Sequence, residues 1–131
     1  MAAPEKRKKA YRFGIASEKI AALFLRCKGY RIVAERYRNA YGEIDIVAAR
    51  GKTLIAVEVK ARKSLVQCEE TITSWKKQKI ERAMQGLLAG LGSQGGKITG
   101  LVVSAHPNIR FDVVWIAPWQ WPRHIQNAWS L

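Results

Sequence analysis

"GEIDIVAARGKTLIAVEVKAR", residues 42–62, decides how this chain folds. Two runs rich in Ile, Val and Ala flank Arg50-Gly51-Lys52-Thr53, and Gly51 supplies the permissive backbone that a two-residue hairpin turn needs. With Arg50 opposite Thr53, Ile44 meets Val59, Ile46 meets Val57 and Ala48 meets Ile55 on one apolar face. The other face pairs Glu43 with Lys60, Asp45 with Glu58 and Val47 with Ala56. A slip of one residue would mix the two faces, so the hydrophobic pattern selects this register. The register also sets two carboxylates side by side. At about 5 Å and an effective dielectric of ~20, their repulsion is on the order of 3 kcal/mol. A proton, Lys60 or a divalent cation must compensate it.

The bulk properties narrow the partners. A chain of 131 residues with 48% hydrophobic content has room for one domain with a real core. A formal charge of +13 favours a polyanionic partner, nucleic acid ahead of an anionic membrane surface. Of the 23 Lys and Arg residues, only Lys97, Arg110 and Arg123 lie beyond residue 82, so 20 surround the hairpin and its flanking segments. No uncharged apolar run approaches the ~18 residues of a spanning helix. Lys6-Arg7-Lys8-Lys9 precedes an apolar segment interrupted by Glu18 and Lys19, a poor signal peptide. Cys27 and Cys68 form no CxxC pattern and read as reduced thiols of a cytoplasmic protein. Cys27 falls on an apolar helical stripe and is expected in the core.

Outward from the hairpin, residues 11–28 read as a helix closed by Gly29. Phe13, Ala16, Ile20, Leu23, Phe24 and Cys27 form its main apolar stripe, and Gly14, Glu18, Ala21 and Leu25 a narrower one. Residues 30–37 read as a strand and 39–42 as a turn. After a polar connection, residues 63–71, Thr73 or Ser74 caps a second helix that buries Ile80, Ala83, Met84, Leu87 and Leu88. Residues 98–104 and 109–116 read as two further strands. The domain is expected over 11–116, with a disordered basic arm, 1–10, before it. A tail, 117–131, holds three of the five tryptophans and packs back as a cap. The order is helix, three antiparallel strands, helix, two strands, and the second helix is long enough for a right-handed crossover to a parallel strand.

An acid, a glycine turn and then Glu58-Val59-Lys60 resembles the PD-(D/E)xK nuclease superfamily, with Asp45 as the first acid and Ile44 where the superfamily signature has proline. Four ordered segments, "GIASEKIAALFLRCKGY", "GEIDIVA", "IAVEVKAR" and "RFDVV", are similar to the YraN-like family of predicted endonucleases. The resemblance implies an α/β, restriction-endonuclease-like core, with a mixed central sheet flanked by helices. It implies Asp45, Glu58 and Lys60 as catalytic residues and Glu18 as an auxiliary acid. It also points to Lys76, Lys77 or Gln78 at an accessory position on the second helix.

The chemistry agrees with that implication. Phosphodiester hydrolysis needs an activated water and neutralised phosphate charge, and Mg²⁺, or Mn²⁺ in its place, supplies both through one or two carboxylates. Asp45 and Glu58 are the ligand candidates, with the Val59 carbonyl third and Glu18 in support. Lys60, on the face of Glu58, is placed to orient water or stabilise developing charge. Arg62, Lys63, Lys76, Lys77 and Lys79 are the candidate nucleic-acid contacts. DNA is the favoured substrate, and branched DNA is suggested by a fold-level analogy with Holliday-junction resolvases. A homodimer is compatible with this reading.

Blander readings compete at each position. The four hairpin charges also read as a cross-strand ion network, Glu43 as the partner of a basic neighbour, and Asp112 as bonded to backbone or Arg110. His106 and His124 lack zinc-site spacing. Trp75 stacks on a base, packs in the core or caps its helix. The rival functions are a non-catalytic nucleic-acid-binding protein on the same scaffold and an interaction module using the tryptophan-rich tail.

Overall fold

The computed structural model describes residues 4–64, 72–91, 96–98, 101–103 and 106–130. The 42–62 hairpin is its centre: β2 (Gly42–Arg50) and β3 (Thr53–Ala61) pair antiparallel from Arg50↔Thr53 to Ile46↔Val57, and Gly51 turns between them at a φ of 60°. That is the register the apolar pattern selects. β1 (Arg31–Asn39) lies antiparallel along β2. The crossover through α2 (Ser74–Leu91) delivers β6 (Asn108–Ile116) parallel to β3, and β7 (Arg123–Trp129) closes the far edge antiparallel to β6. The sheet order is β1-β2-β3-β6-β7, a mixed sheet with α1 (Pro4–Cys27) on one face and α2 on the other.

Covering both faces explains the near-continuous apolar runs of β2 and β3. Ile46, Ala48, Ile55 and Val57 pack against Ala21, Ala22 and Leu25 of α1. Val47, Ala49, Leu54 and Ala56 pack against Ile80, Ala83, Met84 and Leu87 of α2. Thr73 caps α2 as expected, its hydroxyl accepting the Lys76 N–H at 3.2 Å. Gly29, at a φ of 91°, ends α1, and the Tyr30 N–H returns to the Leu25 carbonyl. Among the described residues no helix is long and apolar enough to cross a membrane.

Several local expectations change. α1 starts at Pro4, so residues 4–10 are helical. Its buried face holds Ser17, Ala21, Ala22 and Leu25, whereas Ile20, Leu23 and Cys27 are exposed. The small residues let the helix approach the sheet closely; of the greasier stripe Phe24 packs partly against the core, and Cys27 is not a core thiol. Cys68 lies outside the described residues. Ile44 belongs to the α2-side cluster and not with Ile46, although β2 runs through both beside β1. Part of the 98–104 segment forms a separate ribbon, β4 (Gly96–Ile98) with β5 (Leu101–Val103), and the parallel strand beside β3 is β6. Within the tail, residues 123–129 are the sheet's edge strand.

Candidate active site

The β2–β3 ladder stops at Ile46↔Val57, while β2 continues along β1 to Gly42 and β3 along β6 to Ala61. Beyond that point the strands are joined by a side chain: Asp45 Oδ2 accepts the Val59 N–H at 2.9 Å. Glu58 lies beside it, 5% exposed. Lys60 Nζ and Lys76 Nζ stand 3.9 and 3.8 Å from Glu58 Oε1, at ion-pair separation and too far for hydrogen bonds. The other oxygen, Glu58 Oε2, is buried with no hydrogen-bond partner.

The electrostatics follow from that shortage of donors. Burial pushes the Glu58 carboxyl up, the Asp45 charge adds to it, and Lys76 and Lys60 offset only part, leaving its pKa at about 7. Burial also raises Asp45, opposed by the Val59 N–H, by Lys76 and by a hydrogen bond with Glu58. The contact between the two carboxyls lowers Asp45 and raises Glu58, so Glu58 is the one that holds a proton more tightly. The repulsion inferred from the register is thus relieved in part by a proton.

Glu18 approaches from α1. Its pKa is raised by burial first and then by the Asp45 charge, and its Oε2 pairs with Arg36 Nε at 3.4 Å. Arg36 sits between Glu35 (opposite Ile46) and Tyr37 (opposite Ile44), which places it alongside Asp45. Its φ of 52° is left-handed, a conformation that costs a non-glycine residue on the order of 1 kcal/mol. Sequence reasoning missed Arg36, since nothing in "AERYRNA" separates it from its basic neighbours.

The remaining candidates divide. Of Lys76, Lys77 and Gln78, only Lys76 is placed against the carboxylates. Lys77 lies over the Trp129 ring at 5.8 Å, Arg62 over Trp115 at 5.4 Å, and Lys79 over Trp75 at 4.3 Å. Lys63 is exposed. Glu43 pairs with Arg38 at 3.0 Å. Trp75 is 65% exposed, not packed in the core. Asp112 and His124, 2.8 Å apart, belong to a different buried cluster with Arg110.

Asp45 and Glu58 are the two groups here that could hold a divalent cation. Glu58 Oε2 is a buried oxygen without a partner, beside a second carboxylate. Among the described residues no group of three or more His, Cys, Asp and Glu gathers at ligating distance.

Fold and carboxylate pair together define a restriction-endonuclease-like α/β protein. The chain belongs to the uncharacterised protein family UPF0102, which matches residues 17–116 and bears out the YraN-like resemblance. It is 42% identical over 122 residues to the UPF0102 protein mlr4633 of Mesorhizobium japonicum, covering 93% of this chain and 90% of the relative. A UPF0102 protein of Rhodopseudomonas palustris (strain BisB18) is 44% identical over 134 residues, covering 98% and 87%.

Proposed function

We propose that the protein hydrolyses phosphodiester bonds in nucleic acid, DNA in particular, with a divalent cation held by Asp45 and Glu58. The observation that carries this reading is the buried, unpartnered Glu58 Oε2 beside Asp45, at a break in the sheet ladder. The Val59 carbonyl would complete the protein's share of the coordination, and Glu18 would support it from α1. When bound, Mg²⁺ or Mn²⁺ supplies polarisation of the phosphate and acidification of a water. Asp45 is held in orientation by the Val59 N–H. Lys60 orients the attacking water, and with Lys76 it places two ammonium groups where negative charge develops. The basic surface before residue 83 draws the substrate in without reading its sequence.

Purified protein incubated with branched, single-stranded and duplex DNA, with Mg²⁺ or Mn²⁺, tests the reading. Asp45→Ala and Glu58→Ala should abolish cleavage and leave gel-shift affinity intact, while Lys60→Ala should keep cation affinity and lose rate. Carboxylate variants that cut as well as the parent would move the site elsewhere. Binding without cleavage under any metal would leave a non-catalytic binding protein on this scaffold.

A further inference from the structure

Beside the carboxylates runs a groove of about 380 Å³ lined by Arg38, Tyr41, Glu43, Trp75, Lys76 and Lys79. Lys76 belongs to both places, since its ammonium stands 3.8 Å from Glu58 Oε1. Two large aromatic side chains line the groove while facing water, Tyr41 at 64% and Trp75 at 65% exposure. Three basic side chains accompany them against one acid, and that acid is already paired with Arg38.

The geometry of this groove is fixed by its backbone. Asn39 Oδ1 accepts the N–H groups of Tyr41 and Gly42 at 2.9 and 3.2 Å, an Asx turn that sets the loop carrying Tyr41. Asn39 Nδ2 donates to the Ala83 carbonyl of α2 at 2.9 Å. A Cβ at Gly42 would lie 2.4 Å from the Lys79 carbonyl oxygen, so only glycine lets the turn sit this close to the helix that carries Trp75. Tyr41 and Trp75 are therefore presented from two elements locked together.

Exposed aromatic rings among cations, next to a phosphate-cleaving site, suit one occupant. We propose that Trp75 and Tyr41 stack on an unpaired base adjacent to the reacting phosphate, so that the protein selects DNA with a single-stranded segment over continuous duplex. Inside a duplex both faces of a base are covered by its neighbours, and only an unpaired or terminal base offers a face to an indole or phenol ring. Stacking of this kind tolerates every base, so it reads DNA structure and not DNA sequence. Arg38 and Lys76 hold the backbone on either side, while Lys79 lies over one face of the Trp75 ring at 4.3 Å and the base takes the other. The placement of the base beside a reacting phosphate rests on the phosphodiesterase reading; the stacking itself does not.

The test is binding in EDTA, where no cleavage intervenes. Full-length protein is titrated into single-stranded DNA carrying 2-aminopurine and, in parallel, into blunt duplex of equal length. Trp75→Ala should weaken single-strand binding by roughly fivefold to a hundredfold, with a smaller loss for Tyr41→Ala, and change duplex binding less than about twofold. Trp75→Phe should restore most of the loss and the accompanying fluorescence change. Melting temperatures confirm that these surface variants fold. Equal losses on both DNAs, no loss on either, or a Phe variant no better than Ala would overturn the stacking proposal, even if the parent cleaves. Selective loss in a protein that never cleaves would sustain stacking and sink the nuclease reading instead.

Discussion

Two buried acidic centres lie one residue apart on neighbouring strands, and the protein treats them in opposite ways. Asp112 on β6 is in register with Val57 on β3, and Glu58 follows Val57. Burial pushes both carboxyls up. At Asp112, hydrogen bonds from His124 and from the Arg110 fork, with the Asn127 N–H, outweigh burial and hold the carboxyl below its usual range. Arg110 also reaches the Tyr30 hydroxyl at 2.6 Å, tying the centre to the end of α1. At Glu58 two lysines stand off at ion-pair distance and one oxygen has no partner. Burial is common to both, so it is the supply of donors that separates a carboxylate built to hold the fold from one left able to bind something else.

The largest expected effect tests the first half of that contrast. Asp112→Ala leaves the Arg110 guanidinium without its anion and the Asn127 N–H without its acceptor. It should lower stability by about 3–5 kcal/mol in urea titrations. Glu58→Ala in the same titrations, at pH 8 without divalent cations, should be neutral or stabilising. Equal losses at both positions would end the distinction.

The second prediction separates the centres by the sign of their pH dependence. Unfolded, Glu58 titrates near 4.5; folded, it keeps its proton to about 7. Between those values the folded state binds more protons, so stability should fall as pH rises, by on the order of 3 kcal/mol across the window. Asp112 works the other way: its contribution is present above the ordinary aspartate range and is lost as pH falls through its depressed folded value. Thermal melts in EDTA between pH 4.5 and 8 should show the decline, and Glu58→Gln should flatten it. Mg²⁺ should restore more stability at pH 8 than at pH 5.5, because a proton and a cation compete for the same oxygens. A Glu58→Gln profile that parallels the parent would locate the titration elsewhere.

How much of this is legible in sequence depends on how local the cause is. The hairpin register from Arg50 to Ile46 and the Asp112–Arg110 contact arise from alternation, a glycine turn and an i,i+2 spacing, and can be read from the chain. Asp45 and Glu58 are neighbours as expected, but beyond the end of the ladder that was to pair them. The buried face of α1 cannot be read this way, since hydrophobicity favours Ile20 and Leu23 while close approach to the sheet favours Ser17, Ala21 and Ala22. Ile44 departs from the alternation that holds from Ile46 to Ala49, and its partner across the β1–β2 ladder, Tyr37, packs with it on the α2 side. His124 has no signal at all: its partners Lys28 and Asp112 come from the turn after α1 and from β6 and meet only when residues 123–129 add to the sheet edge.

The smallest expected effect sharpens the comparison at the level of one backbone group. Opposite Asp112 the β6–β7 register slips, from Phe111↔Trp129 to Val113↔Ile125, and Asn127 sits in the resulting bulge at a φ of 51°. Its N–H reaches Asp112 Oδ1 at 2.9 Å, while the residue itself is exposed. If the bulge serves to aim that N–H, the side chain matters only through the left-handed backbone, which asparagine and glycine accept and alanine resists. Asn127→Gly should then lie within about 0.5 kcal/mol of the parent, and Asn127→Ala should lose roughly 1 kcal/mol. Both should fall far short of Asp112→Ala, because the donor to Oδ1 survives in each. A glycine variant as damaging as the alanine one would assign the stabilisation to the asparagine amide and not to the bulge, and Asp112 would then depend on fewer designed donors than its surroundings indicate.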